Sequence, residues 1–273
     1  PGEGRTATLL IGVMLFTSAG SAVGGTGIEA LFFSRFGVQY LPYMYMVLGT
    51  VSFLTSLAIT AMLGRLPKEA LYVSMPLVLA VVLVGDRLIT AFSWAYPVMW
   101  LGKEVMNSLI GLSSWGLAGA LFDTRQAKRL FPLFGAGRIF GSVVGGLGTG
   151  LVVTWFGTEN LLLVWAASMF VAFVLGRALM GRGRAQSPVR KQRRRGPSLI
   201  KEMQQGYQFV RRAPLMQWVS GAAILFSILF FSLALPFSKA ATTRFADVDQ
   251  LAGFLGLFNG LSTAAAFLTS LFL

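Results

Sequence analysis

Eight long apolar stretches dominate this 273-residue chain. Each is close to or longer than the roughly 20 residues that an α-helix needs to cross about 30 Å of hydrocarbon. Apolar residues make up 55% of the chain and charged residues 12%, whereas soluble domains average about 45–50% and about 25%. The sequence therefore predicts an all-α polytopic membrane protein. The predicted spans are 7–33, 41–63, 69–91, 94–121, 131–154, 159–181, 214–240 and 250–273.

The basic residues are distributed unevenly between the loops. Placing the N-terminus in the cytoplasm puts 17 Lys and Arg residues on the cytoplasmic side and four on the other side. Such a bias sets the orientation of a multi-pass protein. We therefore predict an inner (plasma) membrane protein whose N-terminus and 182–213 linker are cytoplasmic.

The 182–213 linker contains the densest run of basic residues, from Arg182 to Arg195. Basic clusters beside a span favour anionic lipid at the cytoplasmic surface. The run lacks the interleaved aromatic residues of a nucleic-acid stacking surface, so no nucleic-acid partner is predicted. Apolar residues at helical spacing over 199–210 indicate an amphipathic helix lying on the membrane.

A short internal repeat suggests how the spans are organised. The segment Ser34–Phe36 precedes one glycine-interrupted span, and Thr243–Phe245 precedes another. Two units of the same polarity joined by a long linker would produce this pattern, which is the plan of the major facilitator superfamily. The domains would then be a six-span half (1–181), the linker (182–213) and the first two spans of a second half (214–273), with about four spans missing after them. Chance similarity between two short segments is the alternative.

Two absences in the composition restrict the chemistry. The chain contains no histidine and no cysteine, which removes the usual general base at neutral pH and the two commonest zinc ligands. We therefore predict no enzyme activity, no metal site and no cofactor.

Ionisable residues inside spans are costly and usually functional. Four of them are Glu29, Lys103, Glu104 and Arg138, and Asn107 shares a helix face with Glu104. The predicted arrangement pairs Glu104 with Arg138 across a polar substrate pathway, while Lys103 extends outward or crosses to Glu29. The alternative is that these charges form ion pairs that hold helices together and touch no substrate.

The segment between the fourth and fifth spans is predicted to be a cytoplasmic loop. It contains Asp123, Arg125, Lys128 and Arg129, which are either solvated positive-inside charges or a gate. In the gate hypothesis Asp123 pairs with a basic residue of the 64–69 loop in one conformation.

Glycine is repeated through the fifth predicted span. Gly137, Gly141 and Gly145 recur every four residues and predict a smooth face for close helix packing. The same stretch matches neither a P-loop nor a dinucleotide-binding turn.

Several motifs resemble one transporter family. Glu104, the segment Trp115–Ala118 (WGLA) and the segment Ala127–Gly135 (AKRLFPLFG) are similar in order and spacing to the ATP/ADP translocase family of plastids and obligate intracellular bacteria, and most of all to its broader bacterial branch. Weaker similarity extends over about residues 25–150. The resemblance implies a facilitator-like fold and nucleotide transport, with Glu104 at the acidic position of the family, and Lys128 and Arg129 in its loop motif.

Two hypotheses of function follow. The first is a secondary transporter of nucleotides, by ATP/ADP-type exchange, or of another phosphorylated or organic anion, working by alternating access. The second is a transporter-derived membrane scaffold or sensor that binds a protein partner complex and transports nothing. The uncharged glycines of the first span favour the second hypothesis, and Glu104 and Arg138 at membrane depth favour the first.

Overall fold

The computed structural model describes residues 2–63, 68–183, 204, 207–209 and 211–272. Within these residues the regular secondary structure is helical, and eight α-helices are longer than 20 residues. We number them α1 (Gly2–Leu31), α2 (Leu41–Leu63), α3 (Lys68–Ile89), α4 (Ala95–Leu121), α5 (Thr124–Phe156), α6 (Leu161–Gly183), α7 (Pro214–Arg244) and α8 (Val248–Phe272).

The fold is that of a multi-pass membrane protein. Six segments of the described chain are long and apolar enough to cross a membrane, and the first of them covers both α1 and α2. The charge-bearing α4 lies outside this set, but it packs within the same bundle against α1, α2 and α3. Helix bounds agree with the predicted spans to within a few residues, except at the start of α5.

The predicted loop between the fourth and fifth spans is mostly helix. Asp123 is the N-cap of α5: its Oδ1 accepts hydrogen bonds from the backbone N–H groups of Arg125 at 3.0 Å and Gln126 at 2.9 Å. Gln126 accepts in return from the Asp123 N–H at 3.2 Å, which completes a capping box. Arg125, Lys128 and Arg129 therefore lie on the first two turns of the helix. Hydropathy placed the span start at residue 131 because a helix of 33 residues extends beyond the hydrocarbon.

The gate hypothesis for this segment changes accordingly. The Asp123 carboxylate is occupied by its own helix, because it caps α5. Most of the 64–69 loop, the predicted partner of the gate, lies outside the described residues, as does most of the predicted amphipathic helix at 199–210.

The link between α1 and α2 is irregular but ordered. α1 passes into a π-helix at Phe32–Gly37 and then a 3₁₀ turn at Val38–Tyr40. Gly37 has a φ of 118°, a conformation that side chains disfavour. The turn directs α2 back along the bundle and buries Phe32 in the core.

The helix bundle has two ends, at which consecutive helices are connected. We call the end where α4 meets α5 the Lys128 end, and the end where α5 meets α6 the Glu159 end. Buried apolar residues form one cluster toward each end. α1 lies at the centre, packed against α4, α5, α6 and α8.

One helix stands largely apart from the core. α7 buries Ser238 and Ala241 near its end, while most of its large apolar side chains are exposed. An apolar exposed face is what a lipid-facing helix requires.

Candidate functional site: a polar cavity between four helices

A polar cavity of about 390 Å³ lies midway along the bundle, between α1, α4, α5 and α8. It brings together all five residues predicted to line a substrate pathway. These are Glu29 on α1, Lys103, Glu104 and Asn107 on α4, and Arg138 on α5. Ligand sites are typically clefts of about 300–1,000 Å³ with a few convergent polar groups, so the cavity has the size and polarity of a small-molecule site.

The central feature of the cavity is an ion triad on α1 and α4. Lys103 Nζ lies 2.5 Å from Glu29 Oε1 and 3.0 Å from Glu104 Oε1. Lys103 is buried, with 4% of its surface exposed, whereas the carboxylates of Glu29 and Glu104 are partly exposed. A buried ammonium is tolerated because both carboxylates stabilise it.

Aromatic rings cover the triad on the side of the Glu159 end. The Lys103 ammonium lies 5.3 Å from the ring centre of Trp100, which is within cation–π range. Trp100 in turn packs against Phe32 and Tyr45, with ring centres 5.7 Å and 5.6 Å apart. Because Phe32 and Trp100 are buried, these rings separate the triad from that end of the bundle.

The predicted pairing of Glu104 with Arg138 is not present. Glu104 pairs with its neighbour Lys103, and none of the ion pairs among the described residues includes Arg138. Adjacent residues on a helix point about 100° apart, but two long flexible side chains can bend toward each other. Lys103 also makes the predicted crossing to Glu29.

Arg138 is the second cation of the cavity. It is exposed, lies on α5 and lines the cavity with Ser142 one turn further on. Its guanidinium carries up to five donors and a permanent charge. An anion entering the cavity would therefore meet a cation that forms no ion pair with the described carboxylates.

Glycines determine how closely the walls of the cavity approach. A side chain at Gly141 would lie 2.3 Å from the Leu15 carbonyl oxygen, and one at Gly145 would lie 2.4 Å from that of Ala19. Gly137 likewise lies against Ile11. The three glycines predicted to form a smooth face thus pack against one side of α1, and only residues without a Cβ permit this distance.

A second glycine face on α5 was not predicted. Gly146 packs against Gly256 and Gly260 of α8, and Gly150 against Gly253. α5 is therefore held between α1 and α8 through small residues on two sides. The sequence contains the glycines of both α5 and α8, but it does not indicate that these two helices are in contact.

Apart from Asn107, the uncharged polar lining was missed by the sequence analysis. α1 contributes hydroxyls, and α8 contributes an amide and a hydroxyl through Asn259 and Thr263. The Ser21 hydroxyl donates a hydrogen bond to Asn107 Oδ1. This bond links α1 to α4 on the side of the triad that faces the Lys128 end. The hydroxyl residues that α1 and α5 add to the lining are Ser18, Ser21, Thr26 and Ser142.

A separate polar network joins the helices at the Glu159 end. Glu159 lies 3.5 Å from Arg87 and 3.8 Å from Arg35. Asp249 of α8 accepts hydrogen bonds from the Thr158 N–H at 2.9 Å and hydroxyl at 2.6 Å. These contacts connect α8 to the turn between α5 and α6 at this end of the bundle.

Among the described residues, no group of three or more carboxylate, histidine or cysteine side chains could hold a metal ion. No protein-family model, curated protein or solved structure matches the chain. The fold and the site define a multi-pass helical membrane protein with a charged cavity inside its helix bundle.

Proposed function

We propose that the protein is a secondary transporter that moves a nucleotide or another phosphorylated anion by alternating access. The observation that carries the proposal is Arg138, a cation that lines a polar cavity midway along the bundle and has no ion-pair partner among the described carboxylates. An intramembrane charge of this kind usually marks a substrate pathway. Guanidinium groups suit phosphate oxygens because they can donate two parallel hydrogen bonds.

The hydroxyl and amide groups around Arg138 support the same class of substrate. Serine, threonine and asparagine side chains can replace water around a polar ligand once it leaves solution. The described cavity lining adds no cation beyond Lys103 and Arg138, so a ligand of modest negative charge is balanced best. Within the nucleotide class, this favours species with few phosphates.

The helices that form the cavity support a facilitator-type layout. If the repeat at Ser34–Phe36 and Thr243–Phe245 is genuine, α8 belongs to a second structural unit while α1, α4 and α5 belong to the first. A substrate site between two repeats near the bilayer midplane is characteristic of secondary transporters. The charge bias of the loops places the Lys128 end and the 182–213 linker in the bacterial cytoplasm, with the linker on anionic lipid.

One observation favours the scaffold hypothesis instead. The Glu29–Lys103–Glu104 triad stabilises itself and joins α1 to α4 without any ligand. A protein that only binds a partner complex could keep this triad for packing alone. Arg138 separates the two hypotheses, because packing alone requires no cation in the cavity.

Uptake of labelled ATP, ADP and inorganic phosphate into liposomes containing the purified protein tests the proposal. Arg138→Gln should reduce uptake about tenfold or more, since hydrogen bonds to charged groups contribute about 1.5–3 kcal/mol. Arg138→Lys should keep part of the activity. Arg125→Gln is the matched control, because Arg125 lies on the same helix outside the cavity, and its uptake should be unchanged. Absence of uptake of every probe would support the scaffold. Normal uptake by Arg138→Gln would show instead that Arg138 does not bind the substrate.

A further inference from the structure

The ionisable groups of the cavity balance one another only while it is empty. Glu29 and Glu104 supply two negative charges, and Lys103 and Arg138 supply two positive ones. Lys103 is within ion-pair distance of both carboxylates. Arg138 is therefore the counter-charge that makes the empty cavity neutral, although it touches neither acid directly.

An anion bound at Arg138 upsets this balance. One negative charge of the anion offsets the positive charge of Arg138, so the two carboxylates then share the single ammonium of Lys103. Excess negative charge at membrane depth is costly. The loaded cavity needs one more positive charge.

A proton on one of the two acids would supply it, and the geometry distinguishes between them. Glu29 is held by Lys103 at 2.5 Å, whereas Glu104 is held at 3.0 Å. The Glu104 side chain is 36% exposed and that of Glu29 is 27% exposed. Protonation of Glu104 therefore breaks the longer of the two ion pairs with Lys103. Glu104 is also the acid that cavity water reaches more easily.

The other groups around Glu104 are compatible with this assignment. α5 presents the permanent cation Arg138, and the described part of α8 that lines the cavity presents only Asn259 and Thr263, which do not titrate. From α2 the titratable side chain beside the triad is Tyr45, whose ring packs against Trp100 with ring centres 5.6 Å apart. α1 contributes Glu29, which keeps Lys103 as its partner when Glu104 becomes neutral.

We infer that the transporter moves one proton together with its anion, and that Glu104 carries the proton. This inference rests on the proposed function. A proton from cavity water binds a carboxylate oxygen of Glu104 as the anion binds Arg138, and both leave on the other side of the membrane. Binding of either ligand then strengthens binding of the other, as linkage requires.

The experiment uses liposomes in which the membrane potential is held at zero, with labelled ATP, ADP and phosphate as probes. Exchange at equal pH on both sides measures transport alone. Accumulation under an imposed pH gradient measures proton coupling. One proton per anion predicts about a tenfold change in the accumulation ratio for each pH unit of gradient, because one pH unit corresponds to about 1.36 kcal/mol.

Glu104→Gln should lose the response to the gradient, because a glutamine side chain cannot bind the proton. Glu159→Gln is the matched control: it removes a carboxylate outside the cavity and should keep both activities. Glu104→Asp retains a titratable group and should respond to the gradient even if the glutamine variant does not fold. In the unaltered protein, adding the anion outside should acidify the lumen, as read by a trapped pH dye.

The outcomes separate this inference from the proposed function. If the protein exchanges a probe without acidifying the lumen or responding to the pH gradient, proton coupling is overturned but the proposed transport function stands. Accumulation driven by a sodium gradient alone would lead to the same conclusion. A gradient response that survives in a folded Glu104→Gln variant overturns the role of Glu104. No exchange of any probe overturns the proposed function, and the inference with it.

Discussion

Lys103 carries a full charge in a position that is 4% exposed. Its ammonium is stabilised by Glu29 on another helix, by Glu104 beside it and by the Trp100 ring. Gly25 of α1 lies beside the Lys103 stem, since a Cβ there would be in ordinary van der Waals contact with it at 3.7 Å. A buried cation of this kind connects α1 to α4 and also determines the charge of the cavity.

Replacing Lys103 by methionine should destabilise the protein by about 3–5 kcal/mol, because two carboxylates would be left without their counter-charge. The measurement is thermal unfolding in detergent. Combining Lys103→Met with Glu29→Gln should restore part of the loss, since one of the orphaned charges is removed. Lys128→Met, at the exposed start of α5, should change stability little. An unchanged melting temperature for Lys103→Met would show that the triad contributes nothing to stability.

α5 lies between α1 and α8 and approaches both of them through glycine residues. Its Gly137, Gly141 and Gly145 approach α1, while Gly146 and Gly150 approach α8. α1 and α5 run in the same direction, because each step of four residues along α5 meets a residue four positions further along α1. Two small faces on one helix allow three backbones to come close together around the cavity, and they place Arg138 at its wall.

Gly141→Ala should separate α1 from α5 and destabilise the bundle by about 1–3 kcal/mol, as overpacking does. The new Cβ would lie 2.3 Å from the Leu15 oxygen, a backbone atom that cannot rotate away. Gly148→Ala is the control in the same helix, because nothing lies within 4 Å of its added Cβ. It should be neutral or slightly stabilising, since alanine is the better helix former. Equal melting temperatures for the two variants would contradict the packing described for α5.

For the whole molecule, the two ends of the bundle differ in charge and in contacts. The Lys128 end carries the basic start of α5. The Glu159 end carries the network of Arg35, Arg87, Glu159 and Asp249. From the positive-inside bias we predict that the first end is cytoplasmic.

Single-cysteine labelling tests this orientation without any background, because the 273 residues contain no cysteine. Ser93 is exposed in the turn between α3 and α4 at the Glu159 end, and the variant Ser93→Cys places a thiol there. A membrane-impermeant maleimide should label it in intact cells. Lys128→Cys is exposed at the other end and should react only after permeabilisation. The reverse pattern would place the N-terminus outside.

Most of the fold was predictable because membrane helices are specified locally. The lengths of the apolar runs, together with the turn residues between them, predicted the bounds of seven helices to within a few residues. The start of α5 was misplaced because Asp123 and Gln126 form a capping box that continues the helix into polar sequence. Hydropathy detects the hydrocarbon, not the end of a helix.

By itself, the sequence predicted that the chain forms long membrane helices and that Glu29, Lys103, Glu104 and Arg138 fall within them, because both predictions depend on apolar length along one segment. Only the tertiary structure decided that Lys103 serves both acids, that Arg138 forms no ion pair with the described carboxylates, and that α8 completes the cavity. Those outcomes depend on which helices are in contact and on where along their axes the contacts lie. Glycine faces on α5 and α8 set that arrangement, and no single segment of the sequence specifies which helices meet.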